Sequence, residues 1–403
     1  MGCVVEDLEK KNFGKQIGDV KIPAVAWQDD VTLIPKDKEE EGDMITEFEL
    51  STDENRIKLA IKKKTKVLTV GKADHEITVM KGKVLTETEE AKVLGYTYNN
   101  KGNANTHLDN KESEAVSMMA NMGLSVSETN MDRIYLPSLL IIHKKCFIHK
   151  LLYGLSGIPL TKQCWEKLEI IDRKVLRSFL NLPSSAPVVG LYVEYGIIPI
   201  RYKLYKRKLR MWKRINRDET NNVIRQCKIE QNNKELPWFK ELVRIANELE
   251  IDLEEAKLVS RNMWKRMINL KVISRVKVDF LEGMGNLKRY SNNAKDEISP
   301  GHAKHYCTLT QRKAKVWMRT RLDLLDPAPR RPYRTNNIWN CKFCEVNDQS
   351  TEHYVVNCSG VAENFNGIDR KRLFKHIQTL EMNDIEFKEA TEALESLYKL
   401  LTK

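Results

Sequence analysis

Glycine is scarce in this chain, at 18 of 403 residues, while leucine, isoleucine, lysine and glutamate are plentiful. That balance argues against a loop-rich architecture and points to helix. No apolar run is long enough to span a bilayer: the most apolar stretch, YLPSLLIIHKKCFIHKLLYGLSGIPL, is interrupted by His143, Lys144, Lys145 and Lys150. The N-terminus lacks the charged start, apolar core and small-residue cleavage site of a secretion signal. An intracellular protein, nuclear or cytoplasmic and not membrane-bound, is the expectation. There is no internal repeat and no long low-complexity linker. Eight cysteines in a reducing compartment do not make a disulfide framework, so clustered ones read as metal ligands.

What the chain has in excess is positive charge. Its 68 basic and 56 acidic residues leave a formal net charge of +12, a surplus that suits a polyanion such as RNA or DNA. The densest basic stretch is IRYKLYKRKLRMWKRI, in which Tyr202, Tyr205, Leu209 and Trp212 fall at helical spacing and turn inward. Lys203, Lys206, Arg207, Lys208, Arg210, Lys213 and Arg214 occupy the remaining positions and are the candidate phosphate contacts. With no acidic residue in the stretch, i,i+4 salt bridges cannot form within it.

The length suits two or three domains, and four segments can be distinguished. Residues 1–110 read as mixed α/β, with short strands at AVAW, VTLI, KVLTVG and KVLGYTYN around a helix carrying Met44, Ile45, Phe48 and Ile57. Residues 111–215 read as helical, including a stripe of Trp165, Leu168, Ile171, Val175 and Phe179, broken afterwards by the proline and glycine of NLPSSAPVVGLYVEYG. Residues 216–330 hold further helices, PWFKELVRIANELE and DLEEAKLVSRNMWKRMINL, with a polar break near RYSNNAKDEISPGHAKHY. A Pro- and Arg-rich hinge, DPAPRRPYRTNNIW, opens a small module at 331–403 that ends in closing helices. The expected class is mainly α with a small α/β part.

The last module begins CKFCEVNDQSTEHYVVNC. Cys341 and Cys344 form a C-x2-C knuckle, followed by His353 and Cys358, and three thiolates with an imidazole at this spacing can close a tetrahedron around Zn²⁺. All four positions are filled by protein, which favours a structural zinc over a catalytic one. Cys3, Cys146, Cys164, Cys227 and Cys307 are scattered and read as buried thiols.

Near the start, IPAVAWQDDVTLI places Asp29 and Asp30 between two apolar runs. Paired carboxylates at a hairpin tip offer hard oxygen ligands to Mg²⁺, as two-metal phosphoryl transfer requires, although Asp is also a common turn former. Taken in order, AWQDDV, ENRIKLAIKKKTKVLTVG, AKVLGYTYN, LEIIDRKVLRSFLNLPSSAPVVGLYVEYGIIPI and MRTRLDLL followed by CKFC and EHYVVNC resemble the C-terminal half of reverse transcriptases from non-LTR (LINE-type) retrotransposons.

The resemblance implies a partial polymerase palm, a helical thumb and post-thumb bundle, and a terminal CCHC zinc motif. It implies Asp29 as principal catalytic metal ligand and Asp30 as its support, with Trp27 in the aromatic place. Gln28 is a departure where a small or unbranched residue is usual. Lys64 or Lys66 would match the lysine that protonates pyrophosphate. Asp29 stands 28 residues from Met1, so the fingers and the earlier palm aspartate are absent, and Mg²⁺ would bind only if the palm were completed by an N-terminal polymerase portion as partner. The implied function is a truncated RNA-directed DNA polymerase that binds RNA or RNA/DNA template without polymerising alone. The alternative is a non-catalytic zinc-containing nucleic-acid-binding protein derived from a retroelement. No nuclease core of Pro-Asp and Asp/Glu-x-Lys follows Cys358.

Overall fold

The structure is a computed structural model that describes residues 2–61, 65–71, 78–121, 135–217, 221–285, 308–325, 340–346, 348–379 and 382–402. Lys64, Cys307, the polar break at 289–306 and the hinge at 326–339 lie outside them. Helix dominates, and among the described residues the small sheets lie within the first hundred positions.

The chain opens with α1 (Gly2–Lys10) and two hairpins, β1 (Lys15–Ile17) with β2 (Val20–Ile22) and β3 (Ala24–Trp27) with β4 (Asp30–Leu33). Next comes α2 (Lys38–Glu54), where the Asp37 side chain accepts from the Glu40 amide at 3.0 Å and Glu39, Glu40 and Glu41 fill the first turn. Both features favour a helix start, one by satisfying an orphan donor and the other by complementing the helix dipole. Short strands follow: β5 (Lys66–Val67), β6 (Val79–Met80), β7 (Lys83–Val84), β8 (Thr86–Glu87), β9 (Glu90–Val93) and β10 (Tyr96–Asn99).

The strands pair two by two. Among the described residues there is no larger sheet: β5 and β8 are parallel and the other pairs are antiparallel. A palm-like sheet with a helix across it, expected from the short strand-like runs of residues 1–110, is therefore seen only as separate ladders. Elements of two to four residues divided by polar turns give too few ladder bonds to extend sideways. KVLTVG forms a strand only at Lys66 and Val67. The β9–β10 hairpin turns at Leu94 and Gly95, both at positive φ, the type I′ pattern that matches strand twist.

The helical part runs through α3 (Asn105–Asn121), α4 (Leu136–Ile142), a π-turn at His143–Phe147, α5 (Ile148–Leu151), α6 (Lys162–Ser178), α7 (Val188–Tyr195) and α8 (Ile200–Ile215). It continues as α9 (Asn222–Asn233), α10 (Pro237–Glu248), α11 (Glu255–Leu258), α12 (Arg261–Gly285), α13 (Gln311–Arg321), α14 (Arg370–Thr379) and α15 (Asp384–Thr402). Proline at the first position of α10 lacks only an N–H that would be unpaired there. DLEEAKLVSRNMWKRMINL, read as one helix, is two. The Ser260 hydroxyl accepts from the Met263 amide at 3.2 Å and restarts the chain as α12.

The chain divides into two compact units, neither continuous in sequence: unit 1 is Met1–Glu114, Leu151–Lys167 and Leu204–Lys271, and unit 2 is Ala115–Lys150, Leu168–Lys203 and Val272–Lys403. Unit 1 has an N-terminal core of Val4, Leu8, Ala24, Met44, Ile45, Phe48, Ile61, Met80 and Leu85. Ile57 lies beyond the end of α2 and packs against this core half-buried. Among its helices Leu204, Tyr205, Leu209, Trp212, Trp238, Leu242, Ile245 and Trp264 are buried. Each fully buried apolar side chain of this size contributes about 1.5–3 kcal/mol.

Unit 2 buries Leu168, Ile171 and Val175 of α6 and Phe179 just after it, as their spacing predicts, and Trp317 of α13 stacks on Phe387 at 4.8 Å. Trp165, which falls in unit 1, is only half-buried.

Unit 2 also encloses a polar network that the sequence pattern did not suggest. His143 Nε2 lies 2.8 Å from Asp172 Oδ1, and the Tyr192 hydroxyl donates to Asp172 Oδ2 at 3.0 Å, with His143 and Asp172 fully buried. Burial lowers the His143 pKa against the opposing pull of Asp172, so the ring is neutral and donates to an ionised carboxylate. A histidine whose folded pKa lies below its unfolded value costs no stability above about pH 6.5 and costs progressively more as the pH falls below it. The urea midpoint should therefore drop between pH 7.5 and pH 5.5, and the drop should shrink in His143→Gln. An identical pH dependence in wild type and variant would remove His143 as its source.

Candidate metal centre

Residues 340–346 and 350–360 fold so that Cys341, Cys344, His353 and Cys358 bring their ligand atoms within 4.8 Å of one another, a cluster that can hold a metal ion. Two local devices achieve this. In the knuckle the Cys341 amide donates to the Val346 carbonyl at 2.7 Å and the Glu345 amide to the Cys341 carbonyl at 2.8 Å, with Glu345 at φ +61 to turn the chain back. In the other limb His353–Asn357 is a π-turn closed by the Cys358 amide on the His353 carbonyl at 2.7 Å.

The H-x4-C spacing of His353 and Cys358 suits one helical turn or a strand end, and the π-turn is the form adopted. With 4.4 residues per turn it brings positions five apart to one side, as an α-helix does for positions four apart.

Gly360 locks the limbs together. A Cβ there would lie 2.4 Å from the Phe343 carbonyl oxygen, so only glycine lets the 3₁₀ turn Ser359–Phe365 approach the knuckle this closely.

Cys341 Sγ and Cys358 Sγ are 3.6 Å apart, and Cys344 Sγ is 3.3 Å from His353 Nε2. Cys341, His353 and Cys358 are buried and Cys344 is half-buried. A hydrogen bond from the Val346 amide holds the Cys344 thiol below its ordinary pKa. Burial pushes the Cys358 thiol up to about 12, reinforced by the Cys341 and Cys344 sulfurs beside it. A cation entering this site must therefore displace a proton from Cys358, which ties its binding to pH.

The other cysteines divide differently from the expectation. Cys164 is buried, donating to Asn105 at 2.9 Å, and Cys227 is intermediate, but Cys3 and Cys146 are exposed.

The aspartate pair sits on the β3–β4 hairpin. Trp27 pairs with Asp30, leaving Gln28 and Asp29 as a two-residue turn with Gln28 at φ +57. Positive φ at the first turn position alone is the type II′ pattern, where glycine is preferred, so the glutamine is held in a strained conformation. Asp29, Asp30 and Trp27 are exposed. Among the described residues no third metal-ligating side chain joins the two aspartates. Lys66 is exposed on β5.

The basic helix is where the sequence reading changes most. Tyr202, Tyr205, Leu209 and Trp212 of α8 are buried, as their spacing predicts. Its cations, however, are largely engaged inside the protein. Lys208 is fully buried, with Nζ 2.9 Å from Glu241 Oε2 and donating to the Ile158 carbonyl at 2.6 Å, so it is withdrawn from any phosphate. Lys213 Nζ donates to the Ala256 and Val259 carbonyls, and Arg207 Nη1 to the Leu152 carbonyl at 3.2 Å.

Lys203, Lys206, Arg207 and Lys213 are half-buried, and Arg210 and Arg214 are exposed. Burial lowers the pKa of Lys203, with Asp172 opposing and Lys144 adding to the shift. The absence of acids within the stretch ruled out pairing along the helix, but not pairing with α10 or with the carbonyls that end neighbouring segments.

No protein-family model and no curated protein matches this chain. Among the described residues no helix is long and apolar enough to cross a membrane.

Proposed function

We propose that the chain is a nucleic-acid-binding portion of a non-LTR retrotransposon reverse transcriptase, carrying a structural zinc in its terminal module and not polymerising by itself. The observation that carries the reading is the four-ligand cluster. A tetrahedral Zn²⁺ with bonds of about 2.3 Å to sulfur and about 2.05 Å to nitrogen sets sulfurs about 3.8 Å apart and sulfur to nitrogen about 3.6 Å apart. The Cys341–Cys358 and Cys344–His353 distances of 3.6 and 3.3 Å lie near these values, and all four ligand atoms fall within 4.8 Å of one another. Cys341, Cys344, His353 and Cys358 would hold the ion, and the ion would tie the knuckle to the π-turn.

The ordered series of motifs supports the family assignment, and the +12 charge supports RNA or RNA/DNA as partner. Asp29 and Asp30 would bind Mg²⁺ only beside a third carboxylate, such as a further polymerase portion could supply. A non-catalytic zinc-containing binder of retroelement origin is the second reading. It is favoured by the absence, among the described residues, of a third ligand near the aspartates.

Fluorescence anisotropy with a labelled RNA tests the binding. Affinity should fall steeply with salt, and the paired substitution Arg210→Gln with Arg214→Gln should reduce the log–log salt slope by about 2. Asp29→Ala should leave binding unchanged. Wild-type protein that ignores RNA at low salt would refute the reading. Primer extension on an RNA template with Mg²⁺, abolished by Asp29→Ala, would refute the statement that it does not polymerise alone.

A further inference from the structure

The π-turn that presents His353 and Cys358 has a cost that the fold meets from outside the ligand set. Shifting its hydrogen bonds to residues five apart leaves carbonyls in the turn short of a donor. One side chain supplies them. Arg370, the first residue of α14, donates from Nε to the Val355 carbonyl at 2.6 Å and from Nη2 to the Tyr354 carbonyl at 3.1 Å. Its guanidinium lies over the Phe365 ring at 5.2 Å, which fixes the plane of the fork. Tyr354 and Val355 are the two residues directly after the ligand His353, and both are fully buried.

Charge points the same way. Three thiolates and a neutral imidazole around a divalent cation leave a net charge of −1 in a largely buried place. A cation beside it offsets the cost of that burial. Burial lowers the Arg370 pKa, and the Cys358 sulfur opposes that shift. Its neighbour on α14, Arg372, is exposed and engaged elsewhere, 2.7 Å from Glu386. Asp369 caps the start of α14 through the Lys371 and Arg372 amides, which holds Arg370 at the turn.

We propose that Arg370 is the positioning residue of the metal centre: it clamps the π-turn so that His353 Nε2 and Cys358 Sγ face one point, and it balances the charge of the filled site. This rests on the metal-centre reading.

The test uses the full chain, titrated with Co²⁺ and Zn²⁺ in competition with a chromophoric chelator, with the sulfur-to-cobalt charge-transfer band as the spectroscopic readout. Arg370→Ala should lose about 10- to 100-fold in metal affinity and weaken or shift that band. Arg370→Lys keeps the charge without the two-pronged contact and should fall between, while Arg372→Ala should match wild type. Wild-type affinity and spectrum in Arg370→Ala would overturn the proposal. Should that variant not fold, Arg370→Lys decides: any loss of affinity sustains the proposal and wild-type behaviour overturns it. Failure of the wild-type chain to bind either metal would remove the metal-centre reading and the proposal together.

Discussion

Cys358→Ser should abolish metal uptake and loosen the knuckle at 341–346 and the π-turn at 353–358. The serine hydroxyl is a poor ligand beside a thiolate, and the lost sulfur is the one that joins the π-turn to the knuckle. Structural zinc contributes roughly 10–16 kcal/mol of apparent binding energy in small zinc-finger peptides, where binding and folding are one event. The effect should be smaller here, because Tyr354, Val355, Val361 and Phe365 are buried and would hold part of the module without metal. Metal analysis of the purified protein should give about one equivalent of zinc for wild type and close to none for the variant. Hydrogen exchange should then show faster exchange of the Cys341, Glu345 and Cys358 amides, which are hydrogen-bonded in the knuckle and the π-turn. Unchanged protection there after chelation would mean that these loops fold without an ion, and that the cysteines meet for some other reason.

Glu241→Ala should destabilise unit 1 by about 3–5 kcal/mol, the usual cost of leaving one member of a buried ion pair alone. Glu241 is 8% exposed and carries three donors: Lys208 Nζ at 2.9 Å, the Trp165 indole N–H at 2.8 Å and the Leu160 amide at 3.2 Å. Lys208 has a second acceptor in the Ile158 carbonyl, but no other carboxylate is bonded to it among the described residues.

The double variant Lys208→Met with Glu241→Leu removes both charges and should recover part of the loss. It should not recover all of it, since the Trp165 and Leu160 donors would remain unsatisfied at about 1–3 kcal/mol each. Urea denaturation followed by circular dichroism measures both. A single variant within about 0.5 kcal/mol of wild type would show that water reaches the site and that the pair is not truly buried.

Much of this architecture could be read from the chain. The stripes of α6 and α8 gave their buried faces because a 3.6-residue period is a property of the sequence itself. AVAW emerged as a strand at its stated residues, and the cysteine and histidine spacing foretold the cluster, because those signals are local. Long-range partners were not legible. Nothing in KRKLRMWKR shows that Lys208 points at a glutamate 33 residues later, or that Lys213 caps the carbonyls around α11. The His143 and Asp172 pair is 29 residues apart on separate elements, and Arg370 meets the metal loop only through backbone oxygens, which carry no sequence signature.

The π-turn has one consequence for how relatives of this chain would be found. A π-turn is an α-turn with one residue inserted, so a homologue lacking that residue could present the same histidine and cysteine from an ordinary helical turn, with the spacing H-x3-C. The two spacings would then be alternative spellings of one ligand pair, and a search that fixes either length would miss chains that carry the other.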